Sequence, residues 1–214
     1  MSNSRVDHIV VVAPSLEAGG AFIQRRLGVQ PQQGGEHVRM GTHNLVLRLG
    51  DTMYLEVISI NPQAPSPPRP RWFELDRLSA QSEPRLACWV ARTTDLPASL
   101  AASSEYLGHG ESMSRGSLEW SIAVPEDGSL PLNGAAPHLI QWNTVDHPAS
   151  HMQDHGCRLV RLELFHPEPK RLQALLDSLH FAEPAVAVSV ETAQIPGLVA
   201  HIETPQGLRS IGTS

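Results

Sequence analysis

Glu56 is the first residue that calls for a chemical explanation. It stands in M-Y-L-E-V-I-S-I, residues 53–60, a lone carboxylate in a strand-like apolar run. Strand alternation puts Tyr54, Glu56 and Ile58 on one face and Leu55, Val57 and Ser59 on the other. A carboxylate placed there is costly to bury unless it meets a cation, a metal ion or a proton. Groups suited to acid–base work lie nearby in the sequence. His8 opens another apolar run, and His37, Arg39, His43 and Asn44 flank a Gly41-Thr42 turn. Glu56 and His37 are therefore the candidate catalytic pair, with Glu56 as a general base in an apolar cleft. His37 and Arg39 share a face by alternation and suit an anionic or oxygen-rich ligand. Arg39, His43 and Asn44 are candidate substrate contacts. Two bland readings stay open: His8 and Glu56 bonded to each other or to backbone across a sheet, and Thr42 and Asn44 holding a turn.

Further along, Trp120 and Trp142 are candidate pocket walls or core residues. Arg161 and Glu163 share a strand face opposite Leu162 and Leu164, and Arg161 is a substrate-binding candidate if that face meets the cleft rather than solvent. Cys88, between Ala87 and Trp89, reads as a small buried residue, with no basic neighbour to activate a thiolate. His109-Gly110-Glu111 reads as a glycine-flanked loop.

The elements that must position these groups are legible in outline. Val6–Ala13 reads as a strand, and Ser15 as the N-cap of a helix carrying Leu16, Phe22, Ile23 and Leu27, ended by Gly28. Gly19-Gly20 weakens that helix. Residues 36–60, with turns at Gly41-Thr42 and Gly50-Asp51, read as an antiparallel meander. Asn61–Pro70 (N-P-Q-A-P-S-P-P-R-P) excludes a central strand or helix, and Trp72–Leu78 reads as a short helix docking its aromatics. Strands at Arg85–Arg92, Leu118–Val124 and His138–Asn143, with Asp95 capping a helix, repeat the β-α-β-β-β order. Arg158–Phe165 begins a third strand-plus-helix, with Leu172, Leu175, Leu176 and Leu179 on one helix face, and strands at Val186–Val190 and Leu198–Ile202. The organisation expected is a first module at 5–60, a Pro-rich connector with a short helix at 61–84, a second module at 85–146, and a shorter β-α-β-β extension at 157–212.

Composition narrows the function classes. The chain has 214 residues, 41% of them hydrophobic, a net charge of −6 and eleven histidines. The arginines form no basic stripe, which argues against nucleic acid. No apolar run reaches the length of a membrane span. The N-terminal residues lack the regions of a signal peptide, and Cys88 and Cys157 suggest neither a disulfide framework nor a metal motif. The location expected is cytoplasmic.

The phrases D-H-I-V-V-V-A, H-V-R-M-G-T-H-N-L-V-L-R-L-G and Y-L-E-V-I-S-I, set in a repeated β-α-β-β-β order, resemble the vicinal oxygen chelate superfamily and its glyoxalase-like branch. That superfamily includes glyoxalase I, extradiol dioxygenases, and fosfomycin- and bleomycin-resistance proteins. The resemblance implies an α+β fold: βαβββ modules forming a curled mixed sheet, with helices outside and a central cleft. Metal-binding members place ligands on the first and fourth strands of paired modules. Carried over, this implies a divalent metal (Zn, Ni, Fe or Mn) on His8, Glu56 and Gln141. Matching the modules puts Cys88 opposite His8 and Gln141 opposite Glu56, a departure from the usual His or Glu. No nucleotide cofactor is expected. The function implied is a glyoxalase-like lyase, isomerase or dioxygenase-type enzyme acting on a small oxygen-bearing substrate. The alternative is a protein of the same fold that binds or sequesters a small molecule without turnover. Whether two copies of the chain pair is open at this point.

Overall fold

A computed structural model describes residues 3–213. Strand β1 (Arg5–Val12) leads into helix α1 (Leu16–Leu27), where the Ser15 hydroxyl accepts from the Ala18 N–H and Gly28 closes the end in the left-handed region. The glycines inside α1 have a packing reason, because a Cβ on Gly19 would lie 2.3 Å from Val57 Cγ1. Strands β2 (Gln32–His37), β3 (Thr42–Gly50) and β4 (Met53–Ile60) form an antiparallel meander whose first strand begins ahead of the expected 36–60, with Val38–Met40 a 3₁₀ turn. The chain continues through β5 (Arg85–Arg92), α2 (Leu96–Ala102), β6 (His109–Arg115), β7 (Leu118–Val124) and β8 (His138–Trp142). Asp95 caps α2 by accepting from the Ala98 N–H.

These eight strands form one curled mixed sheet in the order β2-β3-β4-β1-β5-β8-β7-β6. At its centre β1 and β5 run antiparallel, and each pairs in parallel with the last strand of its own set, β4 and β8. A second sheet, β10-β9-β11-β12, is built from β9 (Arg158–His166), β10 (Ala187–Thr192), β11 (Gly197–Thr204) and β12 (Gly207–Thr213), with α3 (Pro169–Ser178) between β9 and β10.

Alternation divides the apolar residues between two cores. Ile9, Val11, Leu55 and Val57 face α1 and the second sheet, in one core with Leu162, Leu164 and Leu172. Val10, Val12, Ile58, Val90, Ile122 and Ile140 line the concave side of the large sheet, and Trp72, Phe73 and Leu75 pack onto them.

The structure departs from expectation in three further places. His109–Glu111 belongs to strand β6 rather than a loop; H-G-E-S-M-S-R is too polar to announce a strand because it forms an exposed edge. The expected short helix at 72–78 is a 3₁₀ turn at Trp72–Arg77, broken by left-handed backbone at Phe73 (φ 58°) and Glu74 (φ 56°). The chain also gains β12, which the glycines and polar residues of G-L-R-S-I-G-T conceal.

Candidate active site in the sheet cleft

A β-bulge in β1 makes the site. Val6 pairs with Ala91 and His8 with Val90, so Asp7 is the extra residue between them. The bulge brings the Asp7 carboxylate to the side of the sheet where His8 points. Asp7 is fully buried and accepts from His8 Nδ1 (2.6 Å), His147 Nε2 (3.0 Å) and Trp142 Nε1 (2.9 Å). Burial works to raise its pKa, but the hydrogen bonds and charges of His147 and His8 outweigh this and hold it below the usual carboxylate range. Asp7 is thus an anion that fixes the His8 ring, with Nδ1 toward itself and Nε2 toward the cleft. Tyr54 stacks on that ring at 4.5 Å. Burial first, then the charges of Asp7 and Glu56, push the Tyr54 phenol well above its ordinary pKa.

Glu56, on β4, faces His8 across the cleft, with Oε2 3.7 Å from His8 Nε2. Its Oε1 accepts from Asn44 Nδ2 at 2.5 Å, and Asn44 Oδ1 in turn accepts from the Gly35 N–H at 2.7 Å. His37, at the end of β2, has Nε2 4.0 Å from Glu56 Oε1, beyond hydrogen-bond reach. Arg115, at the end of β6, donates to that same Nε2 at 3.3 Å. A guanidinium only donates, so His37 Nε2 accepts and Nδ1–H is the nitrogen that faces Thr42 Oγ1 at 3.1 Å. Burial pushes the His37 pKa down to about 4; the Glu56 carboxylate opposes this and Arg115 adds to it, so the ring is neutral at neutral pH.

The cleft is a narrow cavity of about 30 Å³, partly open to solvent. Polar lining comes from His8, His37, Asn44, Glu56 and Arg115, and its apolar walls include Trp72, Phe73, Trp120 and Trp142. The sequence candidates His8, His37, Asn44, Glu56, Trp120 and Trp142 therefore converge here. Four others do not. Arg39 lies past the end of β2 in a 3₁₀ turn, so alternation no longer links it to His37; it is exposed and pairs with Glu111 at 2.7 Å. His43 faces away from Asn44 along β3, opposite Glu36. Gln141 faces α2, where its Oε1 accepts from the Leu96 N–H at 2.8 Å. Arg161 lies on the second sheet, exposed and paired with Glu163 at 2.6 Å.

Asp7, Arg115 and His147 were missed in the sequence, and so was His138. In the parallel pairs, Val10 lies beside Glu56 and Val90 beside His138. The residue equivalent to Glu56 is therefore His138 rather than Gln141, a three-residue error in matching the fourth strands. His138 is buried, its Nδ1–H donates to the Ala123 carbonyl at 3.2 Å, and its Nε2 has no partner among the described residues. Burial lowers its pKa to about 4.

The four positions at which the resemblance implies metal ligands are thus His8, Glu56, Cys88 and His138. As arranged they do not fit a metal ion. Among the described residues, no three His, Cys, Asp or Glu side chains come together closely enough to hold one. His138 is covered by Phe73, packed edge to face at 4.9 Å. Burial in apolar surroundings raises the Cys88 thiol well above its ordinary pKa, the opposite of what a thiolate ligand needs.

Comparison with known proteins agrees with this architecture. A family model described as a glyoxalase-like domain matches residues 6–180. No curated protein sequence matches the chain. A hypothetical protein from Staphylococcus aureus superposes with a TM-score of 0.63 at 12% identity, over 90% of this chain and 87% of that one. The Mn(II)-bound glyoxalase from Novosphingobium aromaticivorans gives 0.50 at 10% identity, over 98% and 82%. A methylmalonyl-CoA epimerase in complex with methylmalonyl-CoA and NH4+ gives 0.45 at 18% identity, over 68% and 99%. Among the described residues, no helix is long and apolar enough to cross a membrane. With the matched domain spanning most of its length, the chain belongs to the glyoxalase-like domain family.

Proposed function

We propose that this protein is a glyoxalase-like enzyme that moves a proton at a carbon next to a carbonyl in a small substrate. The observation that carries this reading is the Asp7–His8···Glu56 arrangement. One carboxylate oxygen, Glu56 Oε1, is held by Asn44. The other, Oε2, faces His8 Nε2 across a 3.7 Å gap. A carboxylate with one oxygen anchored and one free is suited to taking a proton from carbon. As an imidazolium, His8 keeps Nδ1–H on the buried Asp7 anion and can donate Nε2–H to the substrate oxygen on which charge develops. Because the donor set does not assemble a metal centre, each step is assigned to the chain's own side chains.

The test is incorporation of solvent deuterium at carbon, followed by NMR in D₂O. The compounds are hydroxyacetone, phenylpyruvate and phenylpyruvate methyl ester. At least one should exchange faster than in buffer alone, and Glu56→Gln should slow that exchange by about 10²–10⁴-fold. Exchange at the buffer rate for all three, or an unchanged rate in the variant, would defeat the reading. Binding without exchange would instead favour a sequestering role for the same cleft.

A further inference from the structure

We infer that the ligand of this cleft is an anion, a small carboxylate with an apolar body, and that Arg115 is the residue that selects its charge. Arg115 is the one Arg or Lys among the residues that line the cleft. It reaches the cleft from β6, one edge of the large sheet, across β2, the opposite edge. Gly35 makes that crossing possible: a Cβ there would lie 2.7 Å from Arg115 Cδ. Arg39 and Arg69, near the same seam, share the Glu111 carboxylate, and neither lines the cleft. Among the described residues Arg115 meets no carboxylate, and its single hydrogen bond goes to a neutral imidazole, His37 Nε2, at 3.3 Å. A guanidinium has five N–H donors in a fork that matches a carboxylate. Spending one of them on His37 leaves the rest for a ligand.

A second, independent observation points to the same chemistry. Trp72 lines the cleft and is 3% exposed, yet its Nε1–H has no acceptor among the described residues. A buried N–H without a partner is costly and is satisfied by an acceptor that arrives with the ligand. Its ring stands edge-on to His37 at 5.1 Å, next to the imidazole that Arg115 touches. The guanidinium and the indole of the orphaned donor thus both neighbour His37. Trp120, Trp142, Ile122 and Ile140 supply apolar surface for the rest of the ligand.

The inference builds on the proton-transfer reading only in placing the carboxylate away from the reacting carbon, and its test reads binding alone. Isothermal titration calorimetry would compare 3-phenylpropanoate with 3-phenylpropanamide, a neutral molecule of nearly the same shape. Wild-type protein should bind the acid at least about tenfold more tightly than the amide. Arg115→Met should bring the acid to the level of the amide, while Arg115→Lys keeps part of the preference. Thermal melts of each variant would establish that the fold is retained. Equal affinity for acid and amide in the wild type would overturn the inference. So would an acid affinity unchanged in Arg115→Met, or an absence of binding by both probes. Charge-selective binding in a protein that exchanges no protons would defeat the enzymatic reading and leave this one standing. Exchange that persists without charge selectivity would do the reverse.

Discussion

Asp7 decides how His8 is used, and it does so because one extra residue sits in β1. Without the bulge, Asp7 would point to the face opposite His8, among apolar side chains that offer no partner for a carboxylate. With it, three donors converge on one anion. Removing that charge leaves His8 without a fixed orientation and His147 and Trp142 facing an amide. Asp7→Asn should therefore destabilise the protein by about 2–4 kcal/mol, measured by urea unfolding, and also slow proton exchange. A loss of exchange with unchanged stability would mean that Asp7 acts only through the His8 ring. His8, His37 and Glu56 were legible in the sequence because each is a polar residue in, or at the end of, a strand-forming segment. Asp7 was not, because alternation assigns it to the wrong face and a bulge leaves no local signature. His138 was obscured by a register that only the parallel β5–β8 pairing reveals.

Strand β2 shows how an element with little propensity of its own serves the site. Q-Q-G-G-E-H has no β-branched residue, and its pairing with β3 slips between Gln33 and Glu36. Two adjacent glycines there make room for two functional side chains. A Cβ on Gly34 would meet Asn44 Oδ1 at 2.0 Å, and one on Gly35 would meet Arg115. Gly34→Ala should push Asn44 away from Glu56 and cost about 1–3 kcal/mol, read as a lowered urea midpoint. A midpoint equal to wild type would show that the strand shifts to absorb the methyl group. The purpose of the glycine pair was not legible, because Arg115 stands 80 positions away from Gly35, on a polar edge strand. The misplacement of Arg39 has a related cause: alternation fails where β2 ends at His37.

At the scale of the whole molecule, burying the histidines makes stability depend on pH. His37 and His138 are held neutral by burial, each with a pKa near 4 against an ordinary 6.5. Between those values the unfolded chain binds more protons than the folded one, so stability falls as pH drops through that window. Each ring contributes a slope of up to about 1.4 kcal/mol per pH unit. Asp7 adds a further loss below the ordinary carboxylate pKa, because its folded-state value is depressed. Urea midpoints between pH 7 and pH 4 should decline steeply, and His138→Asn should flatten the decline. A flat profile in the wild type would contradict the burial of neutral imidazoles. The repeated β-α-β-β-β order was legible in the sequence even where single strands are faint, whereas the curled sheet and its cleft came only from what the family resemblance implies.

The proton transfer proposed for Glu56, facing the Asp7-oriented His8, lies in a cleft whose other ligand positions, Cys88 and His138, are buried. Its most direct test is solvent-deuterium incorporation into phenylpyruvate by protein stripped with a chelator and shown by mass spectrometry to hold no divalent metal. Exchange should run at the rate of the untreated protein and be lost in Glu56→Gln. Exchange that vanishes on stripping and returns with added Mn(II) would contradict it.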